Sequence, residues 1–157
     1  MWRSDCQLRP TEIDAMGHLT ATAYLALLEE ARAEWLVKSL GTQHPPCVLR
    51  SQHIDYHREI TPADGTVTVT LAVLELGTSS VLISEAVSAG GTIRAKSEAV
   101  LVMWDGQRRT ARPMTEHERS SLAAFIPPDR RTSAREYASR ECVQPASDGP
   151  RESWSRG

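Results

Sequence analysis

The sequence has few residues that could crosslink the chain covalently or through a metal. Its 157 residues include only three cysteines, Cys6, Cys47 and Cys142. None of them belongs to a C-x-x-C pair. An odd number of widely spaced cysteines is typical neither of a disulfide framework nor of a zinc site. We therefore expect reduced thiols, no metal and no cofactor.

The sequence also lacks an excess of charge and any long apolar run. Eighteen Lys and Arg residues balance 20 Asp and Glu residues, giving a formal net charge of −2. Binding to duplex nucleic acid needs a strongly basic surface, so nucleic acid is not an expected partner. No segment approaches the roughly 18 apolar residues of a membrane span, and the first residues lack the apolar stretch of an export signal. These absences predict a cytoplasmic protein that acts on small molecules or other proteins, without a membrane partner.

Length and composition divide the chain into one domain and a tail. A chain of 157 residues and 17.3 kDa is too short for a large α/β barrel or a two-domain dinucleotide enzyme, which exceed about 200 residues. From Pro127 onward the chain is rich in Pro, Arg, Ser and Glu and has almost no aliphatic residues. Such a segment buries too little apolar surface to offset its chain entropy. We predict a folded domain over 1–126 and a disordered tail over 127–157.

One long helix is predicted in the first third of the chain. Its apolar residues recur at spacings of three and four, the period of one helix face. They are Tyr24, Leu27, Leu28, Ala31 and Trp35. The pattern predicts a helix from about Thr22 to Lys38, with a second, mixed stripe that includes Arg32.

Segments rich in β-branched residues and separated by turn signals predict an antiparallel sheet. A short strand is predicted before the helix and four strands after it: Trp2–Arg9, Cys47–Ile60, Thr66–Leu76, Ser80–Ala89 and Thr92–Trp104. Gly90-Gly91 is a strong hairpin signal. A short helix from Thr115 to Phe125 carries Thr115 and Glu118 at capping-box spacing. The element order predicts an α+β fold in which the long helix packs against a curved sheet of five strands.

The residues at the start of the long helix resemble a known family. The string EIDAMGHLTATAY at 12–24, followed by LLEEAR at 27–32, resembles the signature of hot-dog-fold acyl-CoA thioesterases of the 4-hydroxybenzoyl-CoA thioesterase type. Downstream, IDYHRE at 54–59, the Pro62 to Gly65 turn and GTSS at 77–80 match segments of the same family. The resemblance covers about residues 2–125 and implies a central helix wrapped by a five-stranded antiparallel sheet.

The resemblance also implies an activity and an assembly. The substrate would be a thioester of coenzyme A or of an acyl-carrier protein, hydrolysed to a free acid and a thiol. A single hot-dog unit leaves a sheet edge open, so a homodimer or homotetramer with its site at the interface is expected. A non-catalytic hot-dog protein that binds acyl-CoA or serves assembly is the alternative, and a hot-dog dehydratase fits the motif less well.

Asp14 is the central catalytic residue that the resemblance implies. It would act as nucleophile or as general base, and the sequence leaves both roles open. Gly17 and His18 belong to the same loop, and the Ala21 amide at the helix start would polarise the thioester carbonyl. The commonest family motif has two Asn residues where this chain has Thr20 and Ala21.

Substrate contacts are expected from two further groups of residues. The acyl chain would lie along the helix face that includes Tyr24 and Leu28. The phosphates of coenzyme A would meet the hairpin residues Thr78, Ser79 and Ser80 across a subunit boundary, as the resemblance implies.

The remaining polar candidates each have a structural explanation that is at least as good. Glu12 is either a second carboxylate near Asp14 or a loop residue, and Glu29, Glu30 and Glu34 are interpreted mainly as a solvated helix face. His53 and His57 would lie about 13 Å apart on a strand, too far for one metal ion. The basic loop with Arg108, Arg109 and Arg112 is either a second phosphate site or a solvated loop.

Overall fold

The computed structural model describes residues 1–128 of the 157. These residues form six strands and two helices, with two short 3₁₀ turns at Pro10–Glu12 and Pro62–Asp64. In chain order the elements are β1 (Trp2–Gln7), α1 (Ala21–Leu40), β2 (Cys47–Tyr56), β3 (Thr66–Leu76), β4 (Ser80–Ala89), β5 (Thr92–Asp105), β6 (Thr110–Ala111) and α2 (Glu116–Ala123). Within the described part of the chain, no helix is long and apolar enough to cross a membrane.

The five long strands form one antiparallel sheet in the order β1-β3-β4-β5-β2. The predicted α+β arrangement of one long helix against an antiparallel sheet is confirmed. The strand count differs slightly, because the two-residue β6 closes a hairpin on the end of β5. The second strand also ends at Tyr56 instead of Ile60, since the chain leaves the sheet before the turn at Pro62. The predicted tail lies outside the described residues, apart from its first two positions.

The sheet packs against one broad face of α1. Leu28 and Trp35 have no exposed surface, and alternate residues of β3 and β4, such as Val69 and Ile83, are equally buried beneath the helix. This alternation places one face of each strand in the core. The predicted apolar face of the helix is therefore the face that packs on the sheet.

The mixed stripe of α1 carries a buried ion pair. Arg32 donates to the Glu85 carboxylate at 3.3 Å, and both side chains are at most 5% exposed. Ser97 donates to the same Glu85 oxygen at 2.9 Å. Burial nevertheless raises the pKa of Glu85. The helix thus meets β4 through a paired charge, in addition to its apolar contacts.

The second helix begins with the predicted capping box. The Glu118 amide donates to the Thr115 hydroxyl at 3.2 Å, and the Thr115 amide donates to the Glu118 carboxylate at 2.8 Å. Arg112 adds two bonds to that carboxylate, at 2.9 and 2.6 Å. These donors lower the pKa of Glu118 to about 2.

We expect Glu118→Gln to destabilise the protein at neutral pH by about 2 kcal/mol, because hydrogen bonds to a charged group contribute that much. Because the pKa of Glu118 is lower in the folded state, its ionised carboxylate stabilises the fold at a pH above the ordinary pKa of 4.5. This stabilisation is lost as the pH falls toward 2. Denaturant unfolding at pH 7 and pH 3 should therefore show a smaller difference between wild type and variant at the lower pH. Glu116→Gln, at an exposed site on the same helix, is the control. An equal destabilisation by the two variants would contradict this account.

Candidate active site

Asp14 lies in a tight turn just before the long helix. Its Oδ1 atom accepts the backbone amides of Met16 and His18, at 2.9 and 3.0 Å. Its own amide donates to the His18 carbonyl at 2.8 Å, and an antiparallel bridge joins Ile13 to Leu19. The carboxylate is exposed, but two hydrogen bonds to Oδ1 and one from the Asp14 backbone amide fix its position.

The environment of Asp14 favours the ionised carboxylate. The hydrogen bond from the His18 amide is the largest cause that lowers its pKa, and the Met16 amide and the charge of His18 lower it further. A carboxyl with a lowered pKa is a poor proton acceptor at neutral pH, but it remains available for nucleophilic attack. The local chemistry therefore suits a nucleophile better than a general base.

Gly17 gives the turn its shape. Its φ of +83° lies in the left-handed region, where side chains are disfavoured. A Cβ atom at this position would meet no atom within 4 Å. A glycine could be needed here for its backbone conformation or for the close approach of another atom. The structure supports the backbone conformation.

The helix begins directly after this turn. Thr20 is the N-cap, and its hydroxyl accepts the Ala23 amide at 3.2 Å. The Thr20 amide donates to the Glu12 carbonyl at 2.9 Å, which ties the helix start to the residues before Asp14. The amides of Ala21 and Thr22 have no intrahelical partner at this end of a helix. Both residues are exposed and follow the Asp14 turn directly, so their amides can donate to an oxygen that becomes negative.

His18 faces a carboxylate that the sequence did not single out. Its Nε2 atom lies 2.6 Å from the Oε2 atom of Glu59. Glu59 stands in the segment after β2, 41 residues along the chain, and no spacing rule connects it with the Asp14 loop.

Tyr24 and Leu28 lie in the core of the single chain. They are 3% and 0% exposed. The Tyr24 hydroxyl donates to the Arg58 carbonyl at 3.3 Å, and its ring packs edge-on against Tyr56 with centroids 5.1 Å apart. Burial raises the pKa of Tyr24. Contact of either side chain with an acyl group thus requires a rearrangement or a cavity at a subunit boundary.

The hairpin with Thr78, Ser79 and Ser80 lies at the other end of the sheet. The Met103 amide donates to the Ser79 carbonyl at 2.8 Å, and Arg119 of α2 donates to the Gly77 carbonyl at 2.5 Å. The turn therefore has a basic residue beside it, which sequence reasoning missed because the position of α2 depends on tertiary packing.

Within one chain the structure separates this hairpin from Asp14. Asp14 precedes the first residue of α1, whereas the hairpin joins β3 to β4 beside the Leu36 to Leu40 end of the helix. A helix of 20 residues is about 30 Å long. Asp14, Gly17, His18 and Ala21 are brought together, and Thr78, Ser79 and Ser80 form a second group.

The other polar candidates are engaged in local structure. The Glu12 carboxylate accepts the Arg9 amide at 2.9 Å, Glu30 pairs with Arg9 at 3.0 Å, and Glu34 binds Lys38 and Ser4 at 2.7 Å. Glu29 is exposed. These contacts agree with a solvated helix face.

His53, His57 and the basic loop also have structural explanations. His53 lies 3.3 Å from Asp55, and His57 is exposed beyond the end of the strand. No group of three metal-ligating side chains occurs within residues 1–128. In the basic loop Arg112 is bound to Glu118, while Arg108 is 83% exposed and Arg109 adopts a φ of +54°.

Two cavities occur away from the Asp14 turn. A cavity of about 670 Å³ lies over residues of β3, β4 and β5 that include Ala72, Ser84 and Lys96. A smaller cavity of about 370 Å³ lies between β1 and α1. Neither includes a residue of the loop from 12 to 21. These two cavities therefore do not place a ligand beside Asp14.

The fold defines the class of protein. A curled antiparallel sheet around one long helix is the hot-dog fold, and the same arrangement occurs in a predicted thioesterase from Bacillus stearothermophilus. The two share 22% identity with a TM-score of 0.72, over 80% of this chain and 96% of the other. A hypothetical protein from Staphylococcus aureus, SAV2348, determined in complex with CoA, matches with a TM-score of 0.72 at 14% identity, over 80% and 85% of the two chains. These likenesses establish the fold.

The family follows from the sequence as well. Residues 8–129 match the model of the thioesterase-like superfamily, and the chain belongs to this family. A thioesterase from Thermus thermophilus, determined in complex with coenzyme A and Zn, shares 27% identity with a TM-score of 0.70, over 78% of this chain and 92% of that chain. A comparison with curated proteins found no match. The predicted resemblance to hot-dog thioesterases is confirmed, whereas the 4-hydroxybenzoyl-CoA type remains a prediction.

We expect Thr20→Ala to destabilise the protein by about 1 kcal/mol, because the variant loses the N-cap bond to Ala23. Thr22→Ala is the control, since Thr22 is exposed within the first helical turn and Ala is a good helix former. Denaturant unfolding of both variants measures the difference. A Thr20→Ala variant as stable as Thr22→Ala would show that the cap contributes little to the helix start.

Proposed function

We propose that this protein hydrolyses acyl-CoA thioesters at a site shared by two copies of the chain. The observation that carries the proposal is the Asp14 carboxylate, held by amides of its own turn just before the first-turn amides of Ala21 and Thr22, which have no intrahelical partner. Thioester cleavage needs this pair of functions, a nucleophile and donors for the oxyanion.

Asp14 acts as the nucleophile in this proposal. A carboxylate oxygen attacks the thioester carbon, the carbon–sulfur bond breaks, and the thiolate leaves with its electron pair. Water then attacks the acyl-aspartate anhydride and regenerates the carboxylate. The lowered pKa of Asp14 supports this role, because the residue is ionised at neutral pH. The Ala21 amide, at the positive end of α1, stabilises the oxyanion of each step.

The open edge of the sheet supports a dimer. β2 pairs only with β5 in the described sheet, and it exposes the apolar side chains of Val48, Leu49 and Tyr56. An unpaired apolar edge strand is a template for pairing with another chain. We propose that β2 pairs antiparallel with β2 of a second copy about a two-fold axis.

This pairing would bring the two groups of candidate residues together. β2 starts beside the hairpin end of the sheet, where Cys47 faces Met103, and it ends at Tyr56 beside the start of α1. An antiparallel partner runs in the opposite direction, so Asp14 of one copy would face the Thr78, Ser79 and Ser80 hairpin of the other. That hairpin is the proposed contact for the coenzyme A phosphates.

Coenzyme A is the proposed carrier of the acyl group. Two structural neighbours were determined in complex with it, the Thermus thermophilus thioesterase and the Staphylococcus aureus protein. The departures at Thr20 and Ala21 and the unusual tail favour the alternative, a non-catalytic acyl-CoA-binding protein, although Thr20 still caps the helix by accepting the Ala23 amide.

Asp14→Asn should lower kcat for acyl-CoA hydrolysis by about 10⁴-fold, as expected when a nucleophile is removed. Binding of the CoA product should change little, because the carboxylate contacts only the acyl end. Thiol release from acyl-CoAs of graded chain length measures turnover, and calorimetry measures CoA binding. Asp5→Asn is the matched control, because Asp5 is exposed on β1, the edge strand opposite β2.

Two outcomes would contradict the proposal. Turnover retained by Asp14→Asn would remove Asp14 from the mechanism. A wild-type chain that binds acyl-CoAs but releases no thiol would favour the non-catalytic function instead.

A further inference from the structure

Glu59 is an exposed carboxylate with a close partner in the candidate site. Its Oε2 atom lies 2.6 Å from His18 Nε2, and the two side chains are 57% and 36% exposed. Exposed ion pairs usually contribute little to stability, so stability alone does not explain this contact.

A backbone hydrogen bond between the neighbours of His18 and Glu59 holds this pair in place. Leu19, next to His18, donates its amide to the carbonyl of Ile60, next to Glu59, at 2.8 Å. Leu19 is 6% exposed and Ile60 is 0% exposed. Two buried residues joined by a hydrogen bond thus fix the two exposed ones as neighbours.

Arg94 of β5 anchors the Glu59 segment a second time. Its guanidinium donates to the Glu59 carbonyl at 3.2 Å and to the Asp64 carboxylate at 2.6 Å. Its own carbonyl accepts the amides of His57 and Arg58, at 2.7 and 3.1 Å. The segment that carries Glu59 is therefore held against the sheet on both sides of that residue.

The proposed reaction needs a proton acceptor that Asp14 does not supply. During hydrolysis of the anhydride Asp14 carries the acyl group and cannot take the proton, whereas His18 is its neighbour in the turn and binds the Asp14 carboxylate through its amide. When the Glu59 carboxylate accepts the proton on Nε2, the neutral imidazole carries its lone pair on Nδ1. The contact with Glu59 is made by Nε2, which leaves Nδ1 for the reaction.

We propose that Glu59 is a positioning residue that orients His18 to accept a proton from the hydrolytic water. The inference rests on the proposed thioesterase function. The water oxygen forms a bond to the acyl carbon of the anhydride as its proton passes to Nδ1 of His18. The bond from that carbon to Asp14 breaks, which returns the carboxylate and leaves the acid. His18 then releases its proton to solvent.

A double-mutant cycle on the full-length chain tests this inference. We would measure kcat and KM for an acyl-CoA hydrolysed by wild type, using His18→Gln, Glu59→Gln and the double variant. His18→Gln should lower kcat about 100-fold and Glu59→Gln about tenfold, with KM nearly unchanged, because general-base catalysis contributes on this scale. The double variant should match His18→Gln, because Glu59 acts only through His18.

Glu98→Gln is the matched control for this cycle. Glu98 pairs with His53 in the register of β2 and β5, away from the Asp14 turn. The substitution therefore also removes a carboxylate opposite a histidine. Its kcat should stay within about twofold of wild type.

The outcomes separate this inference from the function on which it rests. An unchanged kcat for Glu59→Gln, or a double variant about tenfold slower than His18→Gln, would overturn the positioning role while Asp14 and the thioesterase activity stood. A wild-type chain without thioesterase activity would overturn both.

Discussion

The burial of α1 in the curved sheet is the constraint on which the rest of the molecule depends. Leu28 and Trp35 have no exposed surface, so the helix cannot rotate or slide without opening the core. The helix start is fixed with it, and Leu19 binds the segment after β2. The Asp14 turn therefore stands beside a helix end whose amides already point in one direction. The proposed chemistry uses this order directly, because preorganised donors need no rearrangement during the reaction.

In the proposed function, the single chain is incomplete as an enzyme. A sheet that wraps one helix ends in an unpaired strand, and the Asp14 turn lies at the opposite end of the helix from the Thr78 hairpin. The described cavities lie away from that turn. A small domain has little interior to spare for a ligand, and in the proposed dimer the symmetric pairing of the open strand would supply walls without a longer chain.

The sequence predicted most of the fold because the relevant signals are local. The period of the long helix, the alternation in β3, the Gly90-Gly91 hairpin and the capping box at Thr115 each involve residues close in the chain. The site was predictable only where it is local, within the Asp14 turn and the helix start. Glu59 and Arg119 were missed because packing brings them to His18 and Gly77 from distant positions. Periodicity identified the face with Tyr24 and Leu28, but it could not tell whether the sheet or a substrate covers that face.

The central claim is that one active site takes residues from two copies of the chain, and subunit mixing tests it most directly. Asp14→Asn removes the nucleophile, and Thr78→Glu places a carboxylate where the phosphates are proposed to bind, so each homodimer should be inactive. When the two variants are mixed in equal amounts, unfolded and refolded together, about one quarter of wild-type activity should return. Half of the randomly assorted dimers are mixed, and each mixed dimer has one intact site out of two. Mixtures that stay as inactive as the separate variants, although the mixed dimers form, would contradict a shared site.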